Sequence, residues 1–185
     1  MDIKGTAVKV TPEFVKARYA ARYKEWIDSM PPASQKILNE SIYANEWYSL
    51  VDSVITPTQK AAQLFFGGDV QKAGFEIGIY SAEVALTGVY KIFMRISTPG
   101  FLLSRTSNVF ASYYNPSDIT IVESSDNHAI FHLGHFKLNE QPVIFRIAGW
   151  MKGAIIKTRG RNHDVKVGQT FKNGQLYFTI LATWD

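Results

Sequence analysis

The chain contains no cysteine. That excludes a disulfide framework, a thiolate nucleophile, a cysteine-ligated zinc and an iron–sulfur cluster. Its apolar stretches are cut by charge or proline well before the ~20 residues of a membrane span. The opening Met1-Asp2-Ile3-Lys4-Gly5 lacks the apolar stretch of a secretory signal, so a cytoplasmic location is expected. Asn39-Glu40-Ser41 is then a chance match to a glycosylation site. Also missing are the Gly-x-x-x-x-Gly-Lys and Gly-x-Gly-x-x-Gly phosphate loops and a Gly-x-Ser-x-Gly nucleophile elbow. The carboxylates are scattered singly, with no pair spaced for acid–base work. These absences argue against an enzyme.

What is present is a folding chain. Its 185 residues are enough for one sizeable core, and we expect a single domain over 1–185. Apolar residues make up 46% and charged residues 19%, which excludes a disordered polar chain. Aromatic residues reach 14%, supplying bulk for packing and stacking. The net charge of +4 lies in the second half, much of it in 152–172. There Lys152, Lys157, Arg159, Arg161 and Lys166 form a candidate anion-binding stretch. A nucleic-acid domain usually carries a denser basic field, so nucleic acid is an unfavoured partner.

Period and punctuation give the elements. Gly5–Val10 alternates like a short strand, and Thr11-Pro12-Glu13 signals a helix start. Val15, Tyr19, Tyr23, Trp26 and Met30 then follow at offsets 0, 4, 8, 11 and 15, the stripe of one long amphipathic helix ended by Pro31-Pro32. A short helix is expected over 33–40 and another from Asn45 through Trp47 and Val54. Thr56-Pro57-Thr58-Gln59 has the pattern of a capping box, and Gly67-Gly68 ends the helix that follows it. Asp69 and Thr98-Pro99 open two more, and Gly88 is a place where the first may split. The period then changes: 118–123 and 128–136 predict strands, 142–159 a helix, and Asn173-Gly174 a type I′ turn between two last strands. This order predicts an α+β fold, several helices packed on one antiparallel sheet of about four to five strands with a C-terminal β-hairpin.

Two constellations invite chemistry. His128, His132 and His135 would align as metal ligands on a helix, but on a strand His128 and His132 share one face and His135 the other. No metal is therefore expected. Gly74-Phe75-Glu76-Ile77-Gly78 sets two glycines in one helix, each costing about 1 kcal/mol against alanine. A close-approaching backbone or a ligand would offset that cost.

An opening Lys-Gly-Thr segment, Trp47-Tyr48, Gly74-Phe75-Glu76-Ile77-Gly78, Tyr113-Tyr114-Asn115, Ala148-Gly149-Trp150-Met151 and a hairpin ending in Trp184 follow in that order. Together they resemble the superfamily of 4-vinyl-reductase-like domains, haem nitric-oxide-binding domains and TRAPP transport-particle subunits, in an uncharacterised bacterial branch. The resemblance implies a sensory, ligand-binding or scaffold module, often dimeric, around an apolar pocket. The haem branch needs a proximal histidine on a helix and a Tyr-x-Ser-x-Arg motif. Here every histidine lies between 128 and 163, on expected strands or loops, and the motif is missing, so no cofactor is expected.

Three functions follow. The leading one is a non-enzymatic sensory or adaptor domain binding a small hydrophobic ligand internally, with Gly74, Phe75, Gly78, Tyr80, Phe101, Tyr113, Trp150 and Phe178 lining the pocket. The alternative is a homodimeric or partner-binding scaffold subunit with a filled core. The third is weak binding of an anionic partner through the basic stretch.

Overall fold

A computed structural model describes residues 1–87, 98–158 and 161–185, and of 106–109 the backbone alone. The chain opens with β1 (Asp2–Lys4), which runs directly into a one-turn helix, α1 (Gly5–Val8), and then α2 (Val10–Tyr19). The strand expected over Gly5–Val10 is thus helical. Its first backbone donors are met from outside the helix: Gly5 N–H donates to the Glu46 carbonyl at 2.9 Å and Thr6 N–H to that of Ala44 at 3.1 Å. No local pattern announces such a tertiary cap.

The long aromatic stripe does face inward, with Val15, Trp26 and Met30 buried. Its backbone, however, breaks at a 3₁₀ turn, Ala20–Arg22, before α3 (Tyr23–Asp28). Contacts with a later helix hold the break. Tyr19 stacks on Phe65 at 4.2 Å, and the Arg22 guanidinium donates to the Leu64 carbonyl at 3.0 Å. After α4 (Pro32–Asn39), Trp47 and Tyr48 form β2 (Trp47–Ser49) rather than a helix. β2 pairs with β1, and the Lys4 ammonium lies 4.1 Å from the Trp47 ring centre. A π-helical turn, Val51–Ile55, continues without interruption into α5 (Thr56–Phe65). Thr56 is itself helical and makes no side-chain cap, so the capping-box pattern is not used.

Elsewhere the local signals hold. Gly67 and Gly68 take positive φ after α5, and the Asp69 carboxylate accepts from Lys72 N–H at 2.9 Å to start α6 (Val70–Thr87). Thr98 Oγ1 accepts from Phe101 N–H at 3.2 Å at the start of α7 (Pro99–Ala111). Gly88 lies outside the described residues. β3 (Tyr114–Asn115), β4 (Asp118–Ser124), β5 (His128–Gly134), α8 (Gln141–Lys157), β6 (Asp164–Lys172) and β7 (Gln175–Thr183) complete the order. Asn173 and Gly174 both take positive φ, as a type I′ turn requires.

The fold is α+β, with helices packed on antiparallel sheet. The strands divide into a four-stranded sheet, β4-β5-β7-β6, and a small one, β2-β1-β3, where one sheet was expected. Ala129, Phe131 and Leu133 of β5 and Phe178, Ile180 and Ala182 of β7 are buried on the inner face of the larger sheet. They share a core with Leu103 of α7 and with Ile144, Ile147 and Met151 of α8. A second cluster joins Phe14, Val15, Trp26, Met30, Ala61 and Ile77 in the helical N-terminal part.

Between the clusters, α6 and α8 meet along glycines. A Cβ on Gly74 would lie 2.6 Å from Phe145 Cβ, and one on Gly78 2.7 Å from Trp150 N. Facing them, a Cβ on Gly149 would lie 2.7 Å from Phe75 Cα, and one on Gly153 2.7 Å from Ala82 Cβ. Glycines four apart on each helix share a face, so the backbones approach where side chains would stand.

Candidate functional site

The eight expected pocket residues do not ring one space. Gly74 and Gly78 face α8 itself, so the close approach that offsets their helical cost comes from protein backbone. Phe75 lies 6.4 Å from Phe145 along the same seam. Tyr80 packs edge-on against Phe14 in the N-terminal cluster, 5.6 Å between ring centres. Trp150 meets Phe110 edge-on at 5.3 Å, Phe178 is fully buried on the sheet, and Tyr113 is half-buried beside the core. Phe101 alone borders an open space, with half its surface exposed.

That space is a groove of about 580 Å³ between the start of α7 and the β4–β5 hairpin. Its lining is mixed: Phe101, Ile121 and Ala129 stand with the polar Thr98, Ser104, Ser124, Ser125 and Asp126. Its volume falls within the range of small-molecule sites. Each wall has a local cause. Pro99 and the Thr98 cap fix where α7 begins, and the Trp184 ring packs beside Gly100, 3.5 Å from where a Cβ would sit. Trp184 in turn donates from Nε1 to the Asp126 carbonyl at 2.8 Å, tying the hairpin turn to the end of the chain. The Arg105 guanidinium stacks 4.8 Å from the Phe101 ring. Sequence reading found Phe101 but missed Ser104, Ile121 and Asp126, because they converge only when the hairpin folds over α7.

On the lip of the groove, Ser125, His128 and Glu123 are hydrogen-bonded in series. Ser125 Oγ lies 2.7 Å from His128 Nδ1, and His128 Nε2 lies 2.9 Å from Glu123 Oε1. Ser125 Oγ also accepts from the backbone N–H of Asn127 and of His128. It therefore closes the turn, and we read the series as turn structure. His128 and His132 share the outer face of β5, and His135 follows with a positive φ. Among the described residues, no three His, Cys, Asp or Glu side chains are grouped to hold a metal. His132 lies 5.8 Å from the Tyr177 ring in a smaller outer-face groove of about 380 Å³, polar-walled by Asp118, Thr120 and Lys172.

Arg146 is the unusual charge of the molecule. Extending from α8, it is buried, and its Nη2 donates to the Ala7 carbonyl of α1 at 3.2 Å. Burial lowers its pKa, while the nearby Tyr114 phenol acts the other way. Tyr114 is buried against Phe136, and desolvation pushes its phenol up to about 12 from an ordinary 10, moderated by Arg146. The folded state thus holds a proton that the unfolded chain gives up near pH 10. Tyr114 contributes its full stability below that pH, and loses it as pH rises toward about 12. In urea unfolding across that window, Tyr114→Phe is expected to flatten the fall in midpoint.

The basic stretch is partly neutralised by folding. Lys157 lies 3.6 Å from Glu83 of α6, which also faces Arg18 at 3.8 Å, and Lys166 lies 3.1 Å from Asp164. The Lys166 contact holds the Asp164 carboxyl below its usual range, and Lys152 adds to the effect. Arg161 is paired through its backbone with Asp185, and Arg159 lies outside the described residues. Within the stretch, Lys157 and Lys166 thus have carboxylate partners.

No family model matches the chain, and no curated protein matches it. Solved structures do. An Fe(II) unliganded H-NOX protein from K. algicida superposes with a TM-score of 0.71 at 8% identity, over 99% of this chain and 97% of that one. The chain has the H-NOX fold. An H-NOX protein from S. oneidensis in the Fe(II)NO ligation state gives a TM-score of 0.69 at 12% identity, over 99% of both chains. An oxygen-binding H-NOX domain related to soluble guanylate cyclases gives 0.69 at 11%, over 99% of this chain and 95% of that one. The likeness to haem nitric-oxide-binding domains drawn from the sequence thus holds at the level of fold. Its 4-vinyl-reductase and tethering-subunit branches gain no support from these structures.

Proposed function

We propose that this chain is a non-catalytic sensory or adaptor domain, which uses the H-NOX fold to hold a small, largely apolar molecule in the groove between α7 and the β4–β5 hairpin. The observation that carries the reading is that groove: a space of small-molecule size, with Phe101, Ile121 and Ala129 as its apolar contacts and walls fixed by the Thr98 cap and the Trp184–Asp126 hydrogen bond.

The structural neighbours bind iron-borne gases, so haem has to be tested against these residues. Haem iron takes histidine, cysteine, methionine or tyrosine as its axial ligand. The chain has no cysteine, and α7 carries none of the other three. The larger groove is lined by none of them, and the one holding His132 and Tyr177 is small and polar. Met151 is packed fully inside the core. Neither α7 nor the larger groove offers haem iron an axial ligand, and the reading here is haem-independent.

Native mass spectrometry of gently purified protein tests the reading. The expected result is a retained small-molecule adduct that disappears in Ser104→Trp, which fills the groove from an exposed helix position. Its stability should stay within about 0.5 kcal/mol of the parent. Stoichiometric haem uptake with a sharp Soret band would overturn the haem-independent reading. A clean apo dimer, with Ser104→Trp changing nothing, would replace the groove with the scaffold reading.

A further inference from the structure

The sequence points to cations in 152–172 as the anion-binding ones, yet folding gives two of those, Lys157 and Lys166, an acidic partner. Among the described residues, one cation without an acidic partner is buried. Arg146 is 8% exposed, and its Nη1 is buried with no hydrogen-bond partner. Among the described residues no carboxylate pairs with it: Glu140, the buried acid on the preceding turn, is instead turned to Lys137 N–H at 2.8 Å. Nor does Tyr114 supply a countercharge, since its phenol is neutral. A buried guanidinium is costly unless it is paired and its donors are met. An unmet buried donor is rare enough in native proteins to require an explanation.

A second unmet group lies close along the chain. Arg146 Nη2 donates to the carbonyl of Ala7, and Thr11 follows Ala7 by four residues on consecutive helical backbone, hence on the same face. Thr11 is fully buried, and its Oγ1 also has no partner. One orphaned cationic donor and one orphaned hydroxyl thus flank the start of α2, near the aromatic Tyr114, whose ring packs edge-on against Phe136.

We propose that Arg146 anchors an internal anion site, completed by Thr11, that takes the carboxylate of a small apolar monoacid. Among the described residues no second cation acts on this guanidinium, and a lone guanidinium matches a single negative charge better than a phosphate dianion. The flat Arg fork also suits a carboxylate. Apolar neighbours favour a hydrocarbon body behind that charge. This site is separate from the α7 groove, and neither depends on the other.

Calorimetric titration and thermal unfolding of the full chain with acetate, butyrate and benzoate, at ionic strength held constant with chloride, test the proposal. The expected result is a saturable rise in midpoint with one site per chain, stronger for butyrate or benzoate than for acetate, and weak for inorganic phosphate. Arg146→Met is expected to weaken binding by about ten- to a hundred-fold, the loss of one charge-assisted hydrogen bond. Arg146→Lys should weaken it less, and Thr11→Val less again. Ser104→Trp is expected to leave it unchanged, which separates this site from the groove. If Arg146→Met fails to fold, the wild-type dose response and Thr11→Val decide. Identical midpoints in carboxylate and chloride would overturn the site, and phosphate binding more tightly than the monoacids would overturn its carboxylate assignment.

Discussion

Gly78→Ala is expected to lower stability by about 3 kcal/mol, although alanine is the better helix former by about 1 kcal/mol. The added methyl would meet Trp150 N at 2.7 Å and Gly149 C at 2.9 Å, and both are backbone atoms of α8. A flexible side chain could swing away; a helix backbone moves only with the whole seam. For a chain of this size the loss corresponds to a midpoint about 6–12 °C lower in a thermal melt. Gly149→Ala faces the same obstacle in reverse, 2.7 Å from Phe75 Cα, and should lose a similar amount. Gly100→Ala is the control, since its Cβ would make only ordinary van der Waals contacts, with the Trp184 ring at 3.5 Å and the Ser125 carbonyl oxygen at 3.7 Å. There the helix preference is unopposed, and stability should hold or rise slightly. Equal melts for Gly78→Ala and the parent would show that the seam is looser than its geometry.

Trp26→Ala is expected to cost about 3–5 kcal/mol, the ordinary penalty for emptying a fully enclosed aromatic site. Trp26 has no exposed surface, and its indole N–H donates to the Pro57 carbonyl at 3.1 Å, joining α3 to the first turn of α5. Trp26→Phe separates the two contributions. It keeps most of the apolar volume but removes the hydrogen bond to the Pro57 carbonyl, which retains its partner within α5, a loss of about 0.5–1.5 kcal/mol. Urea unfolding followed by circular dichroism should show the midpoints ordered parent, Trp26→Phe, Trp26→Ala. A parent-like Trp26→Phe would mean that the hydrogen bond contributes little and that volume alone holds the two helices.

The same two residues mark how far the sequence could be read. Trp26 sits on a stripe whose period is visible in the letters, because helical spacing alone decides which residues share a face. Gly78 was legible as an anomaly, a costly residue in need of a close neighbour, and the open choice was whether backbone or ligand supplied it. The answer lay in Gly149 and Gly153, far away in the chain, whose own close contacts appear only when α6 and α8 cross. Trp47-Tyr48 shows the opposite failure. Its apolar spacing suits a helix, but pairing with β1 made it a strand, since β propensity is largely a matter of what lies alongside.

The candidate site was read less well than the fold, for a physical reason. Phe101 was found because large aromatics are conspicuous, whereas Ser104, Ile121 and Asp126 are ordinary residues that become a wall only by convergence. Arg146 was passed over as one charge inside an apolar helix; burial, not identity, makes it unusual.

The sequence by itself determined what short-range physics controls. It set the α+β class, the starts of α6 and α7 at Asp69 and Thr98, the Asn173-Gly174 turn and the alternation that turns Phe178 and Ile180 inward. It also excluded all cysteine chemistry. Only the tertiary structure decided the break at Ala20–Arg22, the division of the strands into two sheets, the closing of the glycine seam by α8 and the unpaired state of Arg146. Each of these depends on groups distant in sequence meeting in space, and hydrogen bonding, close packing and desolvation act on that meeting.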